Sequence, residues 1–398
     1  MKWRLQSVIT VISALCQAAS AEAQPGALLS PILSAPSEVL TVDVGNRDWG
    51  PAALFGTTLV AGGPSGKAGL FGVDAVSGKL KWTFRPTDFG PGVSTAPVLV
   101  KDLVIVPMGA TAVGAVVAVS LATGKLVWRG LDPMLDADVA VSGSQILIMG
   151  KDGALHALDA ATGREQWSVP LSGNNRGCVS RPLVSDGVVY LTATVSTTAP
   201  GEPRAYALFA LDASNGQERW RTIVRLEGQR GSVCLTQPIL DGDAIYASGE
   251  HAIFAFDTRT GRSRWKPTER KGMVNGKLRK FTLSTLVDAG STVIGMSDTS
   301  LVAIEKSSGK VAWELPGGYR PLHPSMAVAG SVLYFQGSPI IAPAKAERGT
   351  LHALDFERRE MLWSFSRPTA AANWAFGSVL AIDGALWVDS YKAMVKLK

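Results

Sequence analysis

Cysteine is the scarcest reactive residue of this chain, with three in 398 positions and no two adjacent. That count excludes a small disulfide-stapled scaffold and a cysteine-rich metal centre. Histidine is almost as rare, with four. His156 and His352 stand at one position of a repeated segment, "LHALD" in both, while His251 and His323 fall in other repeats. Placed so far apart around a repeat they share no ion, and each reads as a strand or loop residue with ordinary hydrogen bonds. No "GxSxG" elbow is present, and Ser94, Ser180, Ser284 and Ser325 recur where inner strands begin, which assigns them to backbone hydrogen bonding. "GGPSGKAG" at 62–69 lacks the spacing of a phosphate loop, and no helix pattern follows it. Charged residues make up only 18%, the net charge is +6, and no basic stripe runs through the chain, so nucleic acid is not expected as a partner.

What is present begins with an export signal. Lys2 and Arg4 precede the apolar run "SVITVISALC", and small residues follow at Ala19, Ala21 and Ala23. Residues 1–23 read as a signal peptide, 24–36 as a linker, and no transmembrane segment is expected in the remainder. The mature protein is then periplasmic or secreted. Cys16 would be a lipid anchor if the peptide were cut just before it, but Leu15 is not the small residue such a cut needs. Cys178 and Cys234 each lie four residues before a proline, in successive repeats; they either form a disulfide between neighbouring units or stay as two thiols.

The dominant feature is an internal repeat. "LHALDAATGREQW" (155–167) returns as "LFALDASNGQERW" (208–220), and the unit occurs seven times, ending at Trp82, Trp128, Trp167, Trp220, Trp265, Trp313 and Trp363. Four residues before each tryptophan stands a glycine, except in the last copy, where Arg359 takes its place. Four residues further back comes Asp74, Asp159, Asp212, Asp257 or Asp355, with Ser120 and Glu305 as substitutes. An acidic or hydroxyl side chain that accepts backbone N–H bonds, followed by a glycine at positive φ, is the chemistry of a tight turn between strands. Arg359 is therefore expected to strain its turn. The tryptophan beyond the turn is a flat apolar group suited to wedging between stacked sheets.

Each copy is preceded by two further strands around a turn, as in "RPLVSDGVVYLTA" (181–193). The expected fold is all-β: an eight-bladed β-propeller of four-stranded antiparallel blades spanning 37–398. The tryptophans recur every 47 residues or so, about one-eighth of the chain beyond the leader. The last blade is expected to be closed by both chain ends, with three strands from 373–398 and the fourth from "SEVLTVDVG" at 37–45.

The unit "ALDAATGREQW" resembles the repeat of pyrroloquinoline-quinone-type propellers, and the likeness extends over nearly the whole mature chain. Two branches of that superfamily differ in what they imply. Quinoprotein dehydrogenases carry an adjacent cysteine pair and calcium ligands above their cofactor; this chain has no such pair and no assignable carboxylate set. The chain is closest in character to BamB-type outer-membrane assembly factors, with bare blades and an abrupt end on the strand "MVKLK". "NNRGCVSRP" around Arg176 resembles that family's Arg-Gly segment, whereas the acidic segment expected one loop onward is replaced by "RGSVCLTQP".

The long connections between blades carry the least repetitive chemistry. "TERKGMVNGKLRK" (268–280) holds five cations, Arg279 among them, against one acid, and Arg176, Arg181, Arg230 and Arg320 lie in comparable connections. Charged loops keep any protein soluble, but as a set they predict a basic end that attracts an anionic partner or ligand. His323 belongs to the same set, and Trp49 and Trp374, at equivalent inner-strand positions of the first and last blades, are aromatic candidates for stacking or for an interface. No catalytic centre and no metal site is assigned. The resemblance implies a monomeric, non-catalytic scaffold for a protein partner, such as an outer-membrane assembly complex, with no cofactor. The alternative is a quinoprotein-like enzyme or sensor holding pyrroloquinoline quinone or another planar anion on the basic face.

Overall fold

In a computed structural model, the structure describes residues 31–42, 52–62, 69–87, 90, 92–93, 95–109, 114–131, 138–171, 180–195, 205–225, 235, 238–249, 252–269, 271–274, 277–280, 283–297, 300–316, 319–320, 326–339, 350–365, 376–382, 385–390 and 393–398. The described residues form strands and turns with no helix. None of them builds a helix long and apolar enough to cross a membrane. The uncharged run 103–124 has the length for it, but it folds as two paired strands, Leu103–Gly109 and Gly114–Ser120. Its β-branched residues fit a strand buried on both faces.

Among the described residues eight antiparallel sheets of four or five strands are found, seven of them with the four-strand meander that the repeat predicts, and they fall into two compact units. The first unit holds the sheets at 52–84, 98–130, 326–365 and 376–397. The second holds those at 140–170, 183–223, 239–269 and 283–316. In the sheet at 376–397 the three strands Phe376–Ile382, Ala385–Ser390 and Ala393–Leu397 are joined by Glu38–Val42, whose Thr41 pairs with Val395. Ser37 and Lys398 exchange both backbone hydrogen bonds, at 3.0 Å each.

The turns are built as the sequence predicts. Asp159 Oδ1 accepts the Thr162 N–H at 2.9 Å and its hydroxyl at 2.7 Å, and Gly163 donates to the Asp159 carbonyl from φ 70°. Asp74 and Asp257 repeat this arrangement with Ser77 and Thr260. These donors favour the ionised carboxyl. At Asp212 the Ser214 hydroxyl, the Arg219 guanidinium and the Ser214 N–H together bring the pKa down to about 2. Arg359 adopts φ 62°, the left-handed conformation that its six glycine counterparts hold without a Cβ penalty.

Trp82, Trp167 and Trp220 are each received twice, and the other unit-ending tryptophans show one or other of the two contacts. Across its own sheet the tryptophan pairs with a small residue, Gly72, Ala118, Ala157, Ala210, Ala303 or Ala353, and a bulge follows at that point in each. A Cβ on Gly72 would lie 2.3 Å from the Trp82 ring, so the small residue makes room for the indole. The other face meets the turn glycine of the next sheet: Gly124 over Trp82, Gly216 over Trp167, Gly261 over Trp220 and Gly309 over Trp265. The indole N–H then donates to a carbonyl of that turn, from Trp82 to Leu121 at 2.7 Å and from Trp220 to Thr258 at 2.9 Å. Trp167 makes the same wedge with its indole nitrogen buried and unbonded.

The sheet at 376–397 has no such turn, because its third and fourth strands come from opposite chain ends. The segment before Glu38 stands in for it. Trp363 donates to the Ile32 carbonyl at 2.9 Å, and the Ile32 N–H donates to the Tyr334 hydroxyl at 2.7 Å. Leu40, on the fourth strand, lies under Gly78 where the other sheets place a tryptophan. Between sheets the cores are apolar: Val60, Leu70, Val104 and Val117 in the first unit, and Leu208, Ile245, Phe254 and Val293 in the second, are all buried. Each such side chain contributes on the order of 1.5–3 kcal/mol by leaving water.

Candidate interaction surface

Within the segment 268–280, expected as a loop, residues 268–269, 271–274 and 277–280 are strand. Thr268–Glu269 completes the sheet at 239–269, pairing Thr268 with Ile253 and Glu269 with Ala252. Before it the ladder is reduced to an isolated bridge between Phe256 and Ser263, and Pro267 just ahead of the strand has no N–H to offer it. Lys271–Val274 and Lys277–Lys280 then form a two-stranded ribbon. Its register sets Lys271 opposite Lys280, Gly272 opposite Arg279 and Val274 opposite Lys277. The charge was legible in the sequence and the pairing was not, although Asn275-Gly276, between the two strands in sequence, is a hairpin dipeptide.

Of the other candidates, Arg181 is half-buried just before the strand Leu183–Ser185, and Arg320 lies in the two-residue strand Tyr319–Arg320. Arg176, Arg230, His323, Trp49 and Trp374 lie outside the described residues, as do Cys178 and Cys234 of the suggested disulfide. Ser180 is buried, and its hydroxyl accepts the Thr192 N–H at 2.8 Å, the backbone role expected of it.

Two polar clusters in the second unit were not anticipated. His156, on the strand Ala154–Asp159, is buried between two carboxylates. Its Nδ1 lies 2.6 Å from Glu165 Oε2 and its Nε2 3.0 Å from both oxygens of Asp152. Burial pulls the imidazole pKa down, but the hydrogen bonds to Asp152 and Glu165 outweigh it and leave His156 raised above 6.5. Asp152 is raised by its partial burial, yet the bonds from His156 and the Ala154 N–H bring it below the ordinary range; Glu165 is lowered by the His156 bond first. A glycine is required beside this ring, since a Cβ on Gly150 would lie 2.6 Å from Nε2. With both ring nitrogens occupied, His156 is a clamp between strands and has no lone pair to offer a substrate. The carboxylates sit on opposite edges of the ring, so the three share no point for an ion, and no metal-binding group is found among the described residues. His352 holds the same register position in its own sheet and bonds Ser364 at 2.8 Å while stacking on Phe335.

The second cluster ties two sheets together. Lys306 Nζ lies 2.6 Å from Asp288 Oδ2 and 2.7 Å from Asp241 Oδ2, and 5.8 Å from the centre of the Tyr246 ring. Lys306 follows the strand Ser300–Glu305, at the position that is Ala75, Ala160 or Ala213 in other repeats. A lysine where the six other repeats place an uncharged residue, Leu121, Thr258 or Phe356 besides the alanines, is the signal that the sequence carries.

With the fold and these clusters established, comparison with known proteins adds a match to a family over part of the chain. Residues 112–273 match the family model described as outer membrane protein assembly factor BamB. That stretch carries the PQQ-like repeat of the family. A curated relative, the BamB of Yersinia pestis, is 30% identical over 119 residues, 27% of this chain and 27% of that protein, so about a quarter of the relative's length is matched. Among solved structures, BamB from Moraxella catarrhalis superposes with a TM-score of 0.62 at 16% identity, covering 92% of this chain and 97% of that one. A europium-containing methanol dehydrogenase gives 0.61 at 13% identity over 93% and 87% of the two chains, and the C-terminal WD40 domain of Sif2 gives 0.61 at 12% over 92% and 99%. At such identities the likeness shows the fold, a β-propeller, which assembly factors, dehydrogenases and WD40 domains share.

Proposed function

We propose that this protein is a non-catalytic binding scaffold of the cell envelope, exported to the periplasm, where it holds a protein partner during outer-membrane protein assembly. The observation that carries this reading is the match of 112–273 to the BamB family model, a likeness in sequence that the 30% identity to the Yersinia pestis BamB over 119 residues supports. It is supported by the chemistry of the described clusters. His156 and Lys306 are engaged by carboxylates of their own unit and serve packing. Partner contact falls to the basic connections: Arg181, Arg279 and Arg320, joined by Arg176, Arg230, His323 and the aromatic pair Trp49 and Trp374. Arginine suits that task because its planar fork pairs bidentately with carboxylates.

The test is affinity capture of the tagged full chain from detergent-solubilised envelope at low salt. A barrel-assembly complex should co-purify, and neutralising Arg176, Arg181, Arg230 and Arg320 together should abolish the capture. Unchanged capture by that variant rejects the assigned surface. A stoichiometric absorbance change on adding pyrroloquinoline quinone with calcium, coupled to dye-linked oxidation of an alcohol or sugar, rejects the scaffold in favour of an enzyme.

A further inference from the structure

We propose that the ribbon formed by Lys271–Val274 and Lys277–Lys280 is a docking element for an anionic lipid surface. Among the described residues it is the one two-stranded sheet, and its strands pair with none of the eight blade sheets. From Arg270 to Lys280 the chain carries five cations and no acid. Within the ribbon the register places Lys271 directly opposite Lys280. Like charges facing across a strand pair are destabilising, and an isolated two-stranded ribbon is marginal by itself in water. An element assembled against its own electrostatics is stabilised when an external anion layer meets it.

The residue types decide which anion. Three of the four ribbon cations are lysines, compact hydrated point charges that respond to a diffuse potential, whereas geometric recognition of a carboxylate or phosphate favours the arginine fork. The register pairs Met273 with Leu278 and Val274 with Lys277, so apolar residues stand within two positions of a cation on both strands. A headgroup layer accepts both classes at once, with apolar residues at the acyl boundary and cations among the phosphates. An acidic polypeptide would meet the charges and leave Met273, Val274 and Leu278 without a role. The reading goes beyond the protein-partner scaffold and survives if that partner is never found.

The test is co-sedimentation of the purified full chain with vesicles of phosphatidylcholine containing phosphatidylglycerol, against phosphatidylcholine alone. Binding is expected to the anionic vesicles only and to be released by salt. Each cation near such a surface is worth about five-fold in partition, so K271Q/K277Q/R279Q/K280Q should weaken binding on the order of several hundred-fold. R279K, which keeps the charge and loses the fork, should bind as the parent does, and M273S/V274S should bind more weakly with every charge retained. Circular dichroism confirms that each variant keeps its strands. Equal binding to neutral vesicles, an unchanged quadruple variant with native strands, loss of binding by R279K alone, or capture by polyglutamate without capture by vesicles would each overturn the assignment.

Discussion

Replacing Lys306 by methionine probes the polar tie between the sheets at 239–269 and 283–316. The lysine is 10% exposed, Asp288 5% and Asp241 42%. Without the ammonium, Asp241 can turn to water, but Asp288 stays buried with the Gly290 N–H at 2.9 Å on its other oxygen. Breaking a buried ion pair from one side costs roughly 3–5 kcal/mol, because the remaining charge is stranded. The exposure of Asp241 places this case at the lower end, about 3 kcal/mol, or on the order of a hundred-fold in the folding equilibrium. Lys306→Met combined with Asp288→Asn removes the stranded charge while the amide oxygen can still accept from Gly290, so most of the loss should return. Urea denaturation gives both values, and hydrogen exchange of Val293 and Ile304 reports whether the loosening is local to this seam. Single and double variants equally unstable, or a single variant within about 0.5 kcal/mol of the parent, would show that the cluster carries no such load.

The tryptophan wedge makes a second prediction: Gly124→Ala should cost roughly 2–4 kcal/mol, from the left-handed φ and from a Cβ 2.6 Å from the Trp82 ring, whereas Gly143→Ala, with φ 61° and nothing within 4 Å, should cost only the backbone part, about 1–2 kcal/mol. Equal denaturation midpoints for the two would refute the docking role of the turn glycine. Arg359→Gly should stabilise by about 0.5–1 kcal/mol, the relief of φ 62° less the extra entropy of an unfolded glycine, and a lower midpoint would contradict that. The His156 clamp carries a pH signature. His156 is raised above 6.5, so its contribution is complete below that value and is lost as pH rises through its folded-state pKa; Asp152 and Glu165 are lowered, so theirs is present above their ordinary 3.8 and 4.5 and is lost on acidification. His156→Gln should therefore lower stability most between those limits, with the gap closing in alkali; a gap constant with pH would remove the ionic clamp.

The fold was legible because its rule is written seven times. An acid or hydroxyl, a glycine and a tryptophan at fixed spacing specify a turn and a wedge, and Arg359 announced its strained turn by breaking the pattern. The small residue opposite each tryptophan was also in plain sight, as the alanine of "ALD", but its reason emerges only from the cross-strand register. Features made once were harder to read. The lysine tie joins positions 65 and 18 residues apart, and the use of Ile32 as a substitute turn joins positions 331 apart; no local pattern encodes either. The candidate surface was legible as charge, while its one ordered hairpin required the pairing of Lys271–Val274 with Lys277–Lys280.

The scaffold reading is tested most directly by contact in the living envelope. A photo-crosslinking residue placed at Arg181 or Arg320, in the basic connections, should capture a component of the outer-membrane assembly machinery, while the same residue at Arg164, in the turn between third and fourth strands, should not. Crosslinks of equal yield at all three positions, or none at Arg181 and Arg320, would contradict the account.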